Sequence, residues 1–219
     1  VAGGGAFPPS IDEFFWSIGV KVVEGYGLTE TAPVISVRPI AAPVFGNVGS
    51  PIRGVKARIV DADGYVLGRC KFGSIQIQGG TVMKGYYKAP ELTEKVMTVD
   101  GWLDTGDLGM MTIHDEIVIK GRKKDTIVLR GGENIEPLPI EMKLSESRYI
   151  KTSVIVGQDQ RYLAALILVD EEEIKEEDLN KFYSLQDLEL AMEFALISEG
   201  ILKSNKVFDY PSADYTVIR

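Results

Sequence analysis

A chain of 219 residues has room for one large domain or two small ones, and 45% hydrophobic with 26% charged residues is an ordinary globular composition. The formal charge of −8 argues against nucleic acid as the main partner, since phosphate neutralisation needs clustered Lys and Arg, although a few local donors can still hold ATP. No apolar run approaches the ~18 residues of a membrane helix, and the single cysteine, Cys70, excludes an internal disulfide and fits a reducing, cytoplasmic setting.

The start, Val-Ala-Gly-Gly-Gly-Ala, has no Met and no signal-peptide pattern, so the expectation is a chain cut from something longer. Residues 1–9 read as a glycine-rich turn closing on Phe7-Pro8-Pro9. Ser10 with Glu13 makes a capping box for a short helix whose apolar face is Ile11, Phe14, Phe15 and Ile18, ending at Gly19. The apolar run at 20–23, with one Lys, predicts a buried strand delivering Glu24-Gly25-Tyr26-Gly27-Leu28-Thr29-Glu30-Thr31. Strand-end, helix, strand suits a parallel sheet with its ligand site at the C-terminal ends of the strands.

Pinned between two glycines, Tyr26 can offer a flat face to a planar ligand such as a purine. Thr29 can donate to a phosphate oxygen, and Glu30 can hold Mg2+ beside it. On spacing alone, a glycine turn with an exposed polar tip fits as well. Two other nucleotide motifs fail. Glu30 stands where a dinucleotide fingerprint needs its third glycine, and Gly3-Gly4-Gly5 is not followed by Gly-Lys-Ser/Thr.

From residue 33 to about 120 the pattern changes to short alternating runs, which predict a small, mostly antiparallel β subdomain. Val55, Ala57 and Ile59 alternate with Lys56 and Arg58, and Asp61-Ala62-Asp63-Gly64 turns the chain back into residues 65–67. The same turn lacks the distal Glu of a calcium loop. Cys70 reads as a strand residue without chemistry, and Ser74 to Gln78 as a strand with one wet face. Residues 100–107 are dense in turn formers around Trp102. The carboxylate of Asp107, following Thr-Gly, suits a vicinal ribose diol, while Asp104 suits bonding to turn amides. Residues 110–119 predict a hairpin with His114 at its turn, beside no serine, cysteine or metal-ligand spacing.

In Gly121-Arg122-Lys123-Lys124-Asp125, Arg122 can fork two donors onto ribose or phosphate oxygens, though a basic cluster between strands also describes a solvated turn. A strand at 126–129 and a Gly131-Gly132 loop follow, then a helix with Ile140 and Leu144 inward and two strands at 153–156 and 163–169. These predict a small α+β domain. Asp170 can cap a helix opening on Glu171-Glu172-Glu173. Ser184 starts another, with Leu185, Leu188, Met192 and Ala195 as ordinary core packing up to Gly200.

Four ordered stretches carry a resemblance: Gly4-Gly5-Ala6, the Glu24 to Thr31 stretch, Gly101-Trp102-Leu103-Asp104-Thr105-Gly106-Asp107, and Gly121-Arg122-Lys123-Lys124-Asp125 with Gly131-Gly132-Glu133-Asn134. Together they resemble the adenylate-forming superfamily of acyl-CoA synthetases, firefly luciferase and peptide-synthetase adenylation domains, over roughly residues 1 to 170. Glu133-Asn134-Ile135-Glu136-Pro137 is most similar to the long-chain fatty acyl-CoA branch. The resemblance implies that ATP or AMP lies against Gly4, Gly5, Ala6, Glu24, Gly25, Tyr26, Gly27, Leu28 and Thr29, with Tyr26 stacking on adenine. It also implies Thr29 at the α-phosphate, Glu30 on Mg2+, Asp107 and Arg122 on ribose, and Lys124 as hinge. Gly131 and Gly132 would then line the passage for coenzyme A.

The implied fold is α/β and α+β. Residues 1–121 would be the end of a large AMP-binding domain, with a sheet edge at 1–40 and a β subdomain at 41–121. Residues 122–219 would form a small, mobile and incomplete C-terminal domain. The implied activity is that of an ATP-dependent acyl-CoA synthetase for a carboxylic acid of the fatty-acid class. A carrier-loading adenylation domain and a non-catalytic nucleotide-binding module are the alternatives. Two features of such enzymes have no counterpart here: an upstream Ser/Thr/Gly-rich loop with a Lys, and a Lys near the C-terminus. Lys203 and Lys206, the last lysines, stand in no such motif. The expectation is a fragment that turns over nothing alone, with any membrane contact left to the missing parts. Acyl chain length and oligomeric state are not encoded in these motifs.

Overall fold

A computed structural model describes residues 2–5, 7–170 and 216–218. It divides into two units, Val1–Lys124 and Asp125–Arg219, where the sequence expectation set the boundary between residues 121 and 122.

The first unit opens with helix α1 (Pro9–Ser17), entered from Pro8 without a side-chain cap. The helix therefore begins one residue before Ser10, because Pro9 at its first position has φ already set and needs no N–H partner. The expected apolar face is largely outward: Ile11, Phe14 and Ile18 are exposed. The buried residue of α1 is instead Asp12, 1% exposed, ion-paired with the equally buried Arg38. Arg38 also reaches Glu24 at 3.6 Å, donates to the Val22 carbonyl at 3.1 Å and lies over the Phe45 ring. One arginine thus fixes the helix to the segment entering the glycine motif.

Residues 20–23 form no ladder among the described residues. A single parallel bridge joins Ala2 to Glu24, and the strand proper is β1 (Gly25–Tyr26). It pairs antiparallel with β2 (Ser36–Val37), which pairs with β3 (Ser50–Pro51). Next comes an antiparallel meander of β4 (Val55–Val60), β5 (Gly73–Gly79), β6 (Leu103–Met111) and β7 (Ile117–Arg122), with helix α2 (Pro90–Val96) between β5 and β6. Segment 48–49 is tied to β7 by Val48 N–H to the Ile117 carbonyl and Ile117 N–H to the Gly49 carbonyl, both 2.9 Å. The unit's core joins Tyr26 and Ile35 to Val55, Ile59, Ile75, Ile77 and Ile117. Each such side chain contributes about 1.5–3 kcal/mol by leaving water.

Three further expectations change in this unit. Ser74 and Gln76 are buried, because β5 is an inner strand and Arg58 Nε donates to Gln76 Oε1 at 2.8 Å. Leu103 to Asp107 belongs to a strand, with register shifts against both neighbours absorbing the turn-forming residues. Cys70 sits exposed in a turn at φ 59°, outside any strand. The hairpin turn at residues 112–116 matches the pattern, with His114 exposed on it.

The second unit holds β8 (Ile127–Val128) paired with β9 (Asn134–Ile135), α3 (Pro137–Leu144), β10 (Ile150–Val156), β11 (Ala164–Val169) and β12 (Thr216–Ile218). β10, β11 and β12 form one antiparallel sheet, and Ile140 and Leu144 pack α3 onto Ile155 and Ile167. The helices expected from Asp170 and from Ser184 lie outside the described residues, as do Lys203 and Lys206. No helix among the described residues is long and apolar enough to cross a membrane.

Asp12→Ala leaves Arg38 buried with only a distant carboxylate, and should lower unfolding free energy by about 3 kcal/mol or more. The double variant Asp12→Leu/Arg38→Met should lose less than Asp12→Ala alone. Denaturant unfolding of both tests this, and an equal or larger loss in the double variant would refute the pairing energetics.

Candidate nucleotide site

The glycine motif turns because its backbone packs closely on itself. A Cβ on Gly27 would lie 1.5 Å from the Pro33 carbonyl oxygen, so no side chain fits there. After Leu28 the chain makes a single 3-10 turn, Thr29–Thr31. Thr31, fully buried, accepts from the Leu28 N–H at 2.9 Å and donates to the Leu28 carbonyl at 3.0 Å. This inward hydroxyl holds the turn so that Thr29 is exposed and Glu30 half-buried. Thr31 was part of the motif, but its exchange with Leu28 is visible only in the fold.

Tyr26 is buried, and its hydroxyl donates to Asp107 Oδ2 at 2.6 Å. Arg122 Nε donates to the other oxygen, Oδ1, at 3.0 Å. Three positions far apart in the sequence therefore converge on one carboxylate. Asp107 is 3% exposed, and the half-exposed Arg122 is its solvent-side partner. Each carboxylate oxygen carries one of these bonds and retains acceptor capacity for a second. The Tyr26 hydroxyl is held far above its usual pKa, first by burial and then by the adjacent Asp107 charge. It stays a donor to that charge. Thr105, two residues before Asp107, accepts the Asp107 N–H at 3.1 Å and donates to the Ile75 carbonyl at 2.9 Å, seating the carboxylate on β5.

Around this centre, Gly4 and Gly5 are exposed in the loop that leaves the Ala2–Glu24 bridge, and Ala6 lies outside the described residues. Gly3 passes so close to Gly25 that a Cβ would sit 3.2 Å from the Gly25 carbonyl, which sets this loop against the motif. The Glu24 carboxylate turns inward to Arg38. Burial raises its pKa, the Arg38 charge opposes this, and Asp12 adds to the rise. Asp104 accepts from Gly106 N–H at 3.0 Å, Ser74 Oγ at 3.1 Å and Lys123 Nζ at 2.6 Å, tying the irregular start of β6 to β5 and to the residue that follows β7. Lys124 is exposed and is the last residue of the first unit.

No cluster of three or more metal-ligating side chains occurs among the described residues. A lone carboxylate beside an exposed hydroxyl still fits magnesium, which keeps several waters and takes one or two carboxylates together with substrate phosphates. In the second unit, Gly131 and Gly132 form the exposed tip between β8 and β9, with Gly132 at φ 90°. Leu129 N–H to the Glu133 carbonyl at 2.9 Å closes that tip.

Two family models match the chain: "AMP-binding enzyme" over residues 1–87 and "AMP-binding enzyme C-terminal domain" over residues 124–194. A probable acyl-activating enzyme 16, chloroplastic, of Arabidopsis thaliana is 46% identical over 78% of this chain and 25% of its own length. A long-chain-fatty-acid–[acyl-carrier-protein] ligase, AEE15, chloroplastic, of the same plant is 43% identical over 81% of the chain and 26% of its own. The long-chain-fatty-acid–CoA ligase FadD15 of Mycobacterium bovis is 35% identical over 78% and 27%. The chain thus spans about a quarter of the length of these relatives. Among solved structures, o-succinylbenzoate coenzyme A synthetase of Bacillus subtilis in complex with ATP and magnesium ion aligns with a TM-score of 0.70 at 27% identity. That alignment covers 81% of this chain and 38% of that one.

Gly27→Ala should cost about 2–3 kcal/mol of stability, as forced overpacking against backbone does, whereas Gly80→Ala, with nothing within 4 Å of the added Cβ, should change it little. Equal melting temperatures for the two variants would contradict the close approach at Gly27. The raised Glu24 pKa gives a second test. The folded state holds this proton more tightly than the unfolded chain, so the associated stability is present at low pH and is lost as pH rises above 4.5 through the folded value. The stability of Glu24→Gln relative to the parent chain should therefore increase from pH 4 to pH 7. A difference that is flat or falling over that range would contradict it.

Proposed function

Because the chain belongs to the AMP-binding enzyme family, we propose that it is the C-terminal part of an ATP-dependent ligase that activates a fatty acid as its acyl-adenylate and passes the acyl group to a thiol. The observation that carries this reading is the convergence of Tyr26, Asp107 and Arg122. A buried carboxylate, already oriented by a phenol and a guanidinium, has spare acceptor sites for the two vicinal hydroxyls of a ribose. Arg122 reorients to admit them. The Tyr26 ring, held by its hydroxyl, gives the adenine a fixed face to stack on, next to the Gly4-Gly5-Ala6 loop.

In the first half-reaction the carboxylate oxygen of the acid attacks the α-phosphorus of ATP, and the bond to pyrophosphate breaks. The exposed Thr29 hydroxyl donates to an α-phosphate oxygen, and Glu30 holds the magnesium that neutralises phosphate charge. The contribution of this part of the protein is positioning and electrostatic stabilisation, which dominate phosphoryl-group chemistry. In the second half-reaction a thiol sulfur attacks the acyl carbon and AMP leaves as the carbon–oxygen bond breaks. Lys124 is the hinge for the change between the two, and Gly131 and Gly132 leave room for a pantetheine arm.

Two acceptors present that arm, coenzyme A and an acyl carrier protein. Coenzyme A follows from the Glu133 to Pro137 pattern; the carrier is favoured by the higher identity to the carrier-protein ligase, 43% against 35% for the CoA ligase. Product analysis with each acceptor decides between them. A reducing compartment suits the lone exposed thiol. The cytoplasm was the sequence expectation, and the relatives named chloroplastic add the plastid.

The test is calorimetric titration of the full-length ligase with a non-hydrolysable acyl-adenylate analogue. Asp107→Ala should weaken binding more than tenfold, about 1.4 kcal/mol or more. Unchanged affinity in a folded variant would remove Asp107 from the ribose site.

A further inference from the structure

Glu30 is gripped by a segment that shares no motif with it. Residues 81–88 follow β5, enter no ladder and pass beside the glycine motif. Met83 N–H donates to the Glu30 carbonyl at 2.8 Å, and the Tyr86 hydroxyl donates to Glu30 Oε1 at 2.8 Å. Tyr86 is itself anchored from α2. Its backbone N–H donates to Thr93 Oγ1 at 2.9 Å, and that hydroxyl donates to the Ala89 carbonyl at 3.1 Å. Gly85 permits the approach, since at φ 147° any Cβ would lie 2.9 Å from the Thr93 methyl. The Tyr86 pKa is raised by this same hydrogen bond, as expected of a phenol donating to a carboxylate. Among the described residues, no hydrogen bond to Glu30 Oε2 joins these. One oxygen of the carboxylate is held by Tyr86.

We infer that Tyr86 is a positioning residue for the metal: it fixes Glu30 Oε1 so that Oε2 stands ready as a single-oxygen ligand to the divalent cation of the metal–ATP complex. The inference rests on the role proposed for Glu30 above. A glutamate has flexible side-chain torsions, and ordering them in advance removes an entropy loss that metal binding would otherwise carry. A single carboxylate backed by a fixed donor suits magnesium, which demands strict geometry from few protein ligands. Tyr87, the next residue, is 88% exposed and turns away beside Lys88, so it serves as an internal control.

The experiment uses the full-length ligase with Mn2+ as probe. Water-proton relaxation measures Mn2+ binding in the presence of a saturating non-hydrolysable ATP analogue, and calorimetry in EDTA measures the analogue alone. Tyr86→Phe keeps the ring and should weaken Mn2+ binding about three- to tenfold, the scale of one ordinary net hydrogen bond. Affinity for the metal-free analogue should be unchanged, and Tyr87→Phe should match the parent in both measurements. Unaltered or tighter Mn2+ binding in Tyr86→Phe overturns the inference, as does an equal loss of metal and metal-free nucleotide, which would mark a merely structural role. If the parent enzyme shows no nucleotide-dependent Mn2+ binding, the metal role of Glu30 fails first and the inference falls with it. That result is distinct from a parent that binds and a variant that binds equally well.

Discussion

The hydrogen bond from Tyr26 to Asp107 is the constraint on which the first unit's site depends. It joins the three-stranded sheet that carries the glycine motif to the four-stranded meander, inside a core shared by both. A phenol and a carboxylate at 2.6 Å in a buried setting form a strong, directional contact, and each would be costly to leave unpaired. The ring that would stack on a base and the carboxylate that would hold a sugar are therefore one coupled element. Displacement of either moves the other.

A second polar cluster sits at the entry to β1. Asp12, Arg38 and Glu24 are all buried, and among the described residues Asp12 Oδ1 and Arg38 Nε lack hydrogen-bond partners. Such a cluster is weak as a source of stability, because desolvation offsets much of the charge attraction. Its effect is on geometry: α1 and the segment entering β1 have one arrangement that pairs Arg38 with both carboxylates. The exposed Phe14 on the far side of α1 shows that the helix is oriented by this ion pair as well as by its apolar residues.

The turn at Thr29–Thr31 divides its labour between inside and outside. Thr31 satisfies the backbone at Leu28, and Glu30 is fixed through its carbonyl and through one carboxylate oxygen. Thr29 remains outward. Phosphate and metal chemistry needs polar groups that are ordered before substrate arrives, and this turn is ordered by neighbours about fifty residues away in the chain. The second unit has its own core around Ile140, Ile155 and Ile167 and presents an exposed glycine tip.

The sequence by itself determined the family, the order of the motifs and the antiparallel meander. Each of these depends on local spacing, turn residues and strand alternation, which act over a few neighbours. Gly27, Asp107 and Arg122 stood out because their residue types are rare solutions to specific backbone or donor problems. Only the tertiary structure decided which residues of α1 face inward, that Gln76 lies on an inner strand, and that residues 20–23 form no ladder among those described. It also decided that Tyr86 serves Glu30 and that Arg38 serves Asp12 and Glu24. Those outcomes depend on partners distant in the chain, and burying a charge is favourable only where the fold supplies its counter-charge. Composition and periodicity count charges and apolar residues; they do not say which ones meet.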